Sequence, residues 1–119
     1  MKTIENFKTT KEGVFTEKEI WGQPDLWLKV YDKIKKEKHT LSTYINSVLA
    51  DHKLTVILTG AGTSAYIGLS LTGTFTRHFR KHTLAIPTTD LVTHPTDYFS
   101  PDQSVLLISF ARSGNSPES

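Results

Sequence analysis

Glycines and small hydroxyl-bearing residues are concentrated at two points of the chain, and each point follows an apolar run typical of a buried strand. The first stretch, residues 54–64, reads LTVILTGAGTS and turns at Gly60 and Gly62. The second, residues 104–119, reads SVLLISFARSGNSPES and turns at Gly114. A strand that passes through such a turn into a helix leaves backbone N–H groups and the positive end of a helix dipole in one small space. The pattern therefore predicts two loops that could bind an anion such as phosphate.

The segments around these loops predict the elements that position them. Apolar periodicity predicts a helix from residue 66 to about residue 80, a strand over 83–86 and a short helix from residue 88. Alternating strands and helices are typical of an α/β fold with a parallel sheet. If the strand order is 2-1-3, the first and third strands are neighbours and both loops face one crevice.

The N-terminal part of the chain predicts helices. Residues 1–15 are expected to form an extended arm and residues 16–53 a helical lead-in. Thr16 and Glu19 fit a capping box, Pro24 is expected to interrupt and restart the helix, and Thr40 or Ser42 could cap a second one. We expect the aromatic residues of the first helix to pack against the sheet or another subunit. Its apolar stripe consists of Leu26, Trp27, Val30, Tyr31 and Ile34.

Composition excludes several classes of function. The 119 residues suffice for one small domain, and the absence of cysteine excludes disulfides and thiolate sites, which is compatible with a cytoplasmic protein. No apolar run is long enough for a membrane span, and the N-terminus does not resemble a signal peptide. The net charge of +2 arises in residues 1–53, where lysines alternate with acids, so nucleic acid is not an expected partner. The five histidines show no metal-ligand spacing, and no metal is expected.

Other uses of the first loop fit less well. Gly60, Gly62 and Ala65 match a loose dinucleotide-binding fingerprint, but the acid expected at the end of the second strand is missing. The Walker pattern lacks its lysine. Ser64 lacks the G-x-S-x-G context of a serine nucleophile. The loop serines could also be ordinary helix caps.

Two loop sequences, TGAGTSAYIG and SFARSGNSPES, resemble the phosphate-binding loops of the sugar isomerase (SIS) domain. Two further segments, FTEKEIWGQPDLW and TTDLVTHP, extend this resemblance along the chain. From Phe15 to Ser119 the chain is similar to the tagatose-6-phosphate ketose/aldose isomerase family, also described as galactosamine-6-phosphate deaminase/isomerase. The resemblance implies a three-layer, flavodoxin-like α/β fold preceded by N-terminal helices, with residues 54–119 as the first part of the SIS domain. It implies a phosphorylated sugar as ligand, homo-oligomerisation and no cofactor.

Site residues follow from the same resemblance. It implies that hydroxyl groups and the loop backbone hold the sugar phosphate. Arg112, which stands where glutamine or another polar residue is commoner, could add a bond to phosphate or pair across a subunit interface. The implied residues are Gly62, Thr63, Ser64, Arg112, Ser113, Gly114 and Ser116.

The catalytic groups of the resembled family lie downstream of any residue in this sequence. Glu118, the one acid near the second loop, suits a helix start better than catalysis, so the catalytic residues stay unknown. We therefore expect a truncated, phosphate-binding portion of an isomerase or deaminase, and we expect it to self-associate because its sheet has an open edge. A non-catalytic phosphosugar sensor and a purely structural α/β fragment remain the alternatives.

Overall fold

The computed structural model describes residues 13–115 of the chain. Most of the predicted N-terminal arm lies outside the described residues, and so does the stretch 116–119 with Ser116. The chain divides into two compact units, Met1–Ser42 and Thr43–Ser119. Among the helices of residues 13–115, none is both long and apolar enough to cross a membrane.

The first unit contains α1, Val14–Lys36, a helix of 23 residues. It begins before the predicted capping box, because the N–H of Glu17 already donates to the carbonyl of Gly13 at 2.9 Å. It also continues through Pro24, where the sequence predicts an interruption. Pro24 has no N–H to donate to the carbonyl of Ile20, yet the helix does not end there. The predicted start and interruption of this helix were therefore wrong.

The apolar side chains of α1 are exposed. Trp21 and Trp27 are 64% and 65% exposed, and no residue of α1 is buried. The predicted packing of these aromatic residues is thus not realised within the part of the single chain that the structure describes.

A second helix, α2, spans Lys38–Leu49 and follows α1 after one residue. Thr40 and Ser42 lie inside it rather than at its start, so the predicted caps were wrong. The Ser42 hydroxyl instead donates to the carbonyl of His39 at 3.0 Å within the helix.

A three-stranded parallel sheet forms the centre of the second unit, in the order β2-β1-β3. The strand order 2-1-3 predicted from the sequence is confirmed. One helix, α3, connects β1 to β2, and a short helix, α4, with a 3-10 turn connects β2 to β3. The elements are β1 Thr55–Gly60, α3 Ala65–Phe79, β2 His82–Ala85, α4 Thr88–Thr93, the turn Pro95–Asp97, and β3 Val105–Phe110.

Alternating side chains of β1 build two apolar layers, one on each face of the sheet. Val56 and Leu58 point to the face covered by α2 and α3, where their neighbours include Leu71 and Phe75. Ile57 points to the other face. There it packs with Ile86 and Leu91, and Tyr98, Phe99 and Val105 pack around them. Helices on both faces of the sheet confirm the predicted three-layer α/β fold.

Gly68 shows why α3 can approach the sheet so closely. A Cβ at this position would lie 3.1 Å from Cβ of Leu58 and 3.2 Å from its carbonyl oxygen. Gly73, farther along α3, meets only the flexible end of Arg77 at 3.4 Å. The close packing expected for the helix glycines therefore applies to Gly68 and not to Gly73.

Candidate functional site

The two glycine loops leave the same edge of the sheet on neighbouring strands. β1 and β3 are parallel, and Gly60, the last residue of β1, is level with Phe110, the last residue of β3. The loops that follow, residues 61–64 and 111–115, are therefore adjacent. This is the carboxyl edge of the strands, where parallel α/β sheets bind ligands.

The first loop is a tight turn that only glycine permits at its base. A Cβ on Gly60 would lie 2.7 Å from the carbonyl carbon of Ser64, closer than such atoms approach. Gly62 has a φ of +53°, in the left-handed region. A 3-10 turn, Gly62–Ser64, then runs directly into α3, with the N–H of Ser64 bonded to the Ala61 carbonyl at 3.1 Å. The chain thus reverses within four residues and presents the start of α3 at the sheet edge.

The hydroxyl groups of this loop are available to a ligand. Ser64 is the residue that precedes α3, but its side chain makes no capping hydrogen bond. Ser64 is half-buried and Thr63 is exposed. For Ser64, the interpretation as an ordinary helix cap is therefore wrong.

The second loop is shaped by its own serine. Gly114 has a φ of +66°, and the N–H of Asn115 donates to Oγ of Ser113 at 3.3 Å. The Ser113 oxygen therefore stabilises the turn, while its hydroxyl hydrogen can still be donated. Residues 111–115 are all exposed.

An open cavity of about 470 Å³ joins the two loops. Of the predicted site residues, it brings together Thr63, Ser64 and Arg112. Within residues 13–115, Ala61 and Ile67 are the other lining residues, and this described lining carries one cationic side chain and no acidic one. Gly62, Ser113 and Gly114 shape the loops without lining the cavity.

Ile67 was missed by the sequence analysis, which assigns it to the apolar periodicity of α3. It lies three residues after Ser64, so it is on the same face of the first helical turn. It is 43% exposed and lines the cavity instead of packing in the core. This position at the start of the helix is the signal that could have identified it.

A buried pair of threonines supports the base of the first loop. Oγ1 of Thr59 and Oγ1 of Thr88 are 3.1 Å apart, and the side chains are 2% and 8% exposed. Thr59 precedes Gly60 in β1, while Thr88 is the first residue of α4. The bond therefore ties the end of the central strand to the element that follows β2.

The chain is similar to known proteins over most of its length. D-galactosamine-6-phosphate deaminase AgaS from Escherichia coli is 47% identical over 107 residues, covering 90% of this chain and 28% of that protein. The protein of the same name from Shewanella is 46% identical over 114 residues, covering 92% of this chain and 29% of its own length. No protein-family model matches the chain.

A solved structure supports the same relationship. The crystal structure of tagatose-6-phosphate ketose/aldose isomerase from Escherichia coli matches with a TM-score of 0.83 and 43% identity. The match covers 94% of this chain and 31% of that one, so the chain spans less than a third of the length of these relatives. This chain is therefore a homologue of part of the AgaS and tagatose-6-phosphate ketose/aldose isomerase proteins, which are SIS-domain proteins.

Proposed function

We propose that this chain is the phosphosugar-binding portion of an aldose–ketose isomerase or aminosugar-phosphate deaminase that acts on tagatose 6-phosphate or galactosamine 6-phosphate. The observation that carries the proposal is the cavity that places Thr63, Ser64 and Arg112 together between two adjacent loops. The names of the relatives supply the sugar. In this proposal residues 54–119 are the first part of the SIS domain and residues 16–53 its helical lead-in.

Each of the three polar lining residues has a role in holding a phosphate. The hydroxyls of Thr63 and Ser64 donate to phosphate oxygens, and the start of α3 adds backbone N–H groups and its dipole. The guanidinium of Arg112 supplies the positive charge and can form two parallel hydrogen bonds. Ser113, Gly114 and Ser116 complete the second loop in this proposal, and Gly62 gives the first loop its shape.

Proton transfer is assigned to groups outside this lining. Isomerisation moves a proton between C1 and C2 of the sugar, and this step needs a base within hydrogen-bond distance. Among residues 13–115, the lining of the cavity contains no carboxylate and no histidine. These residues therefore anchor the substrate by its phosphate and leave its reacting end to other groups.

The same observation favours a second candidate. A lining that binds without a base also suits a phosphosugar-sensing module that performs no chemistry. Ammonia and ketose release from galactosamine 6-phosphate, by the longest protein of the natural reading frame, distinguishes the two. Ammonia with ketose supports the deaminase, whereas binding without turnover of either sugar phosphate supports the sensor.

Binding itself is tested by calorimetry on the 119-residue chain with galactosamine 6-phosphate and tagatose 6-phosphate. A hydrogen bond to a charged group contributes about 1.5–3 kcal/mol, so Ser64→Ala should weaken binding about ten- to a hundredfold. Ser70→Ala is the matched control, because Ser70 lies on the same helix and its hydroxyl donates to the Ile67 carbonyl instead. Equal affinity of both variants and the wild type would contradict the proposed phosphate site.

We also propose a homo-oligomer located in the cytoplasm. The exposed apolar side chains of α1 support self-association, because large contiguous apolar surfaces usually mark interfaces. The absence of cysteine is compatible with the cytoplasm.

A further inference from the structure

The exposed apolar face of α1 has the spacing of a helix-pairing surface. Ile20, Trp27, Val30 and Ile34, here called the α1 seam, are separated by seven, three and four residues. This is the repeat that keeps apolar side chains facing a partner helix, and Gln23 is the one polar residue within it. All four are more than half exposed, from 53% at Ile34 to 65% at Trp27.

Charges beside the α1 seam indicate which helix could cover it. Glu19, Leu26 and Lys33 are seven residues apart and therefore lie along one flank of the seam. When two copies of α1 pair antiparallel around Leu26, Glu19 of each copy comes level with Lys33 of the other. A parallel pair brings Glu19 level with Pro24 and offers it no opposite charge.

The opposite face of α1 is suited to water. Its side chains are exposed and charged, with both signs interspersed. They are Lys18, Asp25, Lys29, Asp32 and Lys36. The helix is therefore amphipathic, although Trp21 and Leu28, which are 64% and 66% exposed, add apolar surface at the border of this charged face.

We propose that α1 pairs antiparallel with α1 of a second copy of this chain through the α1 seam, with Glu19 bonded to Lys33 on each side of the centre. The 23 residues of α1 span about 34 Å, long enough for the contacts to repeat on both sides of Leu26. Trp27, next to Leu26, is the large aromatic anchor at the centre of the contact. This inference rests on the self-association proposed above and is independent of phosphosugar binding.

The two tryptophans of the chain, Trp21 and Trp27, are both on α1, so intrinsic fluorescence reports directly on this helix. We expect the 119-residue chain to dimerise with rising concentration in sedimentation velocity, with a parallel shift of tryptophan emission to shorter wavelength. A monomer at all concentrations would overturn both the self-association and the interface. Dimerisation without an emission change would overturn the interface alone.

Charge reversal tests the antiparallel geometry. Glu19→Lys or Lys33→Glu replaces two attractions per dimer by two repulsions, and each should raise the dissociation constant about four- to thirtyfold at low salt. An equimolar mixture of the two variants should recover wild-type affinity, because attraction returns at both ends. The matched controls Asp25→Lys and Lys29→Glu make the same charge changes on the water-facing side and should dimerise normally.

Two outcomes refute this geometry. One is a mixture that stays as weak as the single variants, which would exclude Glu19–Lys33 pairing. The other is an equal weakening by the controls, which would assign the effect to total charge. Binding of galactosamine 6-phosphate, measured on the same samples, should be unchanged in every variant, so its loss would concern the phosphate site and not the helix pair.

Discussion

Gly60→Ala is predicted to damage the fold and the candidate site together. The added Cβ would lie 2.7 Å from the carbonyl carbon of Ser64, 2.8 Å from its oxygen and 2.9 Å from its Cβ. Two of these three atoms belong to the backbone, so the loop itself must move to relieve the contact. Gly60 is not among the glycines with positive φ, and the predicted effect is therefore steric rather than conformational.

The magnitude follows from two opposing contributions. Overpacking of a tight contact costs about 1–3 kcal/mol, while replacing glycine by alanine in a strand returns about 0.5–1 kcal/mol. We expect the free energy of unfolding to fall by up to about 2.5 kcal/mol and phosphosugar affinity to fall at least tenfold, since the displaced residue is Ser64.

Urea unfolding and calorimetric titration of the 119-residue chain measure the two effects. The control is Gly73→Ala, also a glycine-to-alanine change. There the new methyl group meets only the end of Arg77, so the better helix propensity of alanine should stabilise the chain by up to about 1 kcal/mol. A Gly60→Ala chain with wild-type stability and affinity would refute the assignment of Gly60 as the sterically required base of the first loop.

Two further predictions concern groups that support the sheet and its loops. Thr59→Val leaves the buried Thr88 hydroxyl without its partner, so it should lower the free energy of unfolding in urea by about 1–3 kcal/mol. Thr59→Ser retains the hydrogen bond and should lower it less. Equal losses of stability in the two variants would argue against the hydrogen bond. The Ser104 side chain, the N–H of Lys53 and the charges of Lys81 and Lys53 hold the pKa of Asp51 below its ordinary value of 3.8. Because the pKa of Asp51 is lower in the folded state, its ionised carboxylate stabilises the fold above the unfolded pKa, and that stabilisation is lost as the pH falls through the folded pKa. Asp51→Asn should therefore be less stable than wild type at pH 7, and the difference should shrink below about pH 4. A difference in stability that stays constant with pH would contradict this prediction.

Much of the second unit was predictable because its local signals agree with its packing. The apolar run of β1 is buried throughout, and the loop glycines at 62 and 114 have positive φ. The prediction of a buried strand holds less well for β3, where Leu106 is buried but Leu107 is 49% exposed. The neighbouring positions of β1 and β3 were a hypothesis based on the strand order 2-1-3 of doubly wound sheets, and the observed order confirms it.

The first unit was less predictable because exposed helices depend on weak local preferences. α1 begins at Val14, two residues before Thr16, because the Gly13 carbonyl accepts the first helical hydrogen bond. Pro24 does not end the helix. Neither outcome is decided by packing, since no residue of α1 is buried. At the site, Ile67 escaped prediction because an apolar residue at helical spacing gives the same pattern whether it packs in the core or lines a cavity.

The most direct test of the phosphosugar site is a titration of the ¹⁵N-labelled 119-residue chain with galactosamine 6-phosphate, followed by backbone amide chemical shifts. We predict saturable shifts at residues 62–65 and 112–114, absent with unphosphorylated galactosamine and strongly weakened by Ser64→Ala. Shifts confined to other parts of the chain, or equal shifts with galactosamine itself, would contradict the claim that the two adjacent loops bind the phosphate of a sugar.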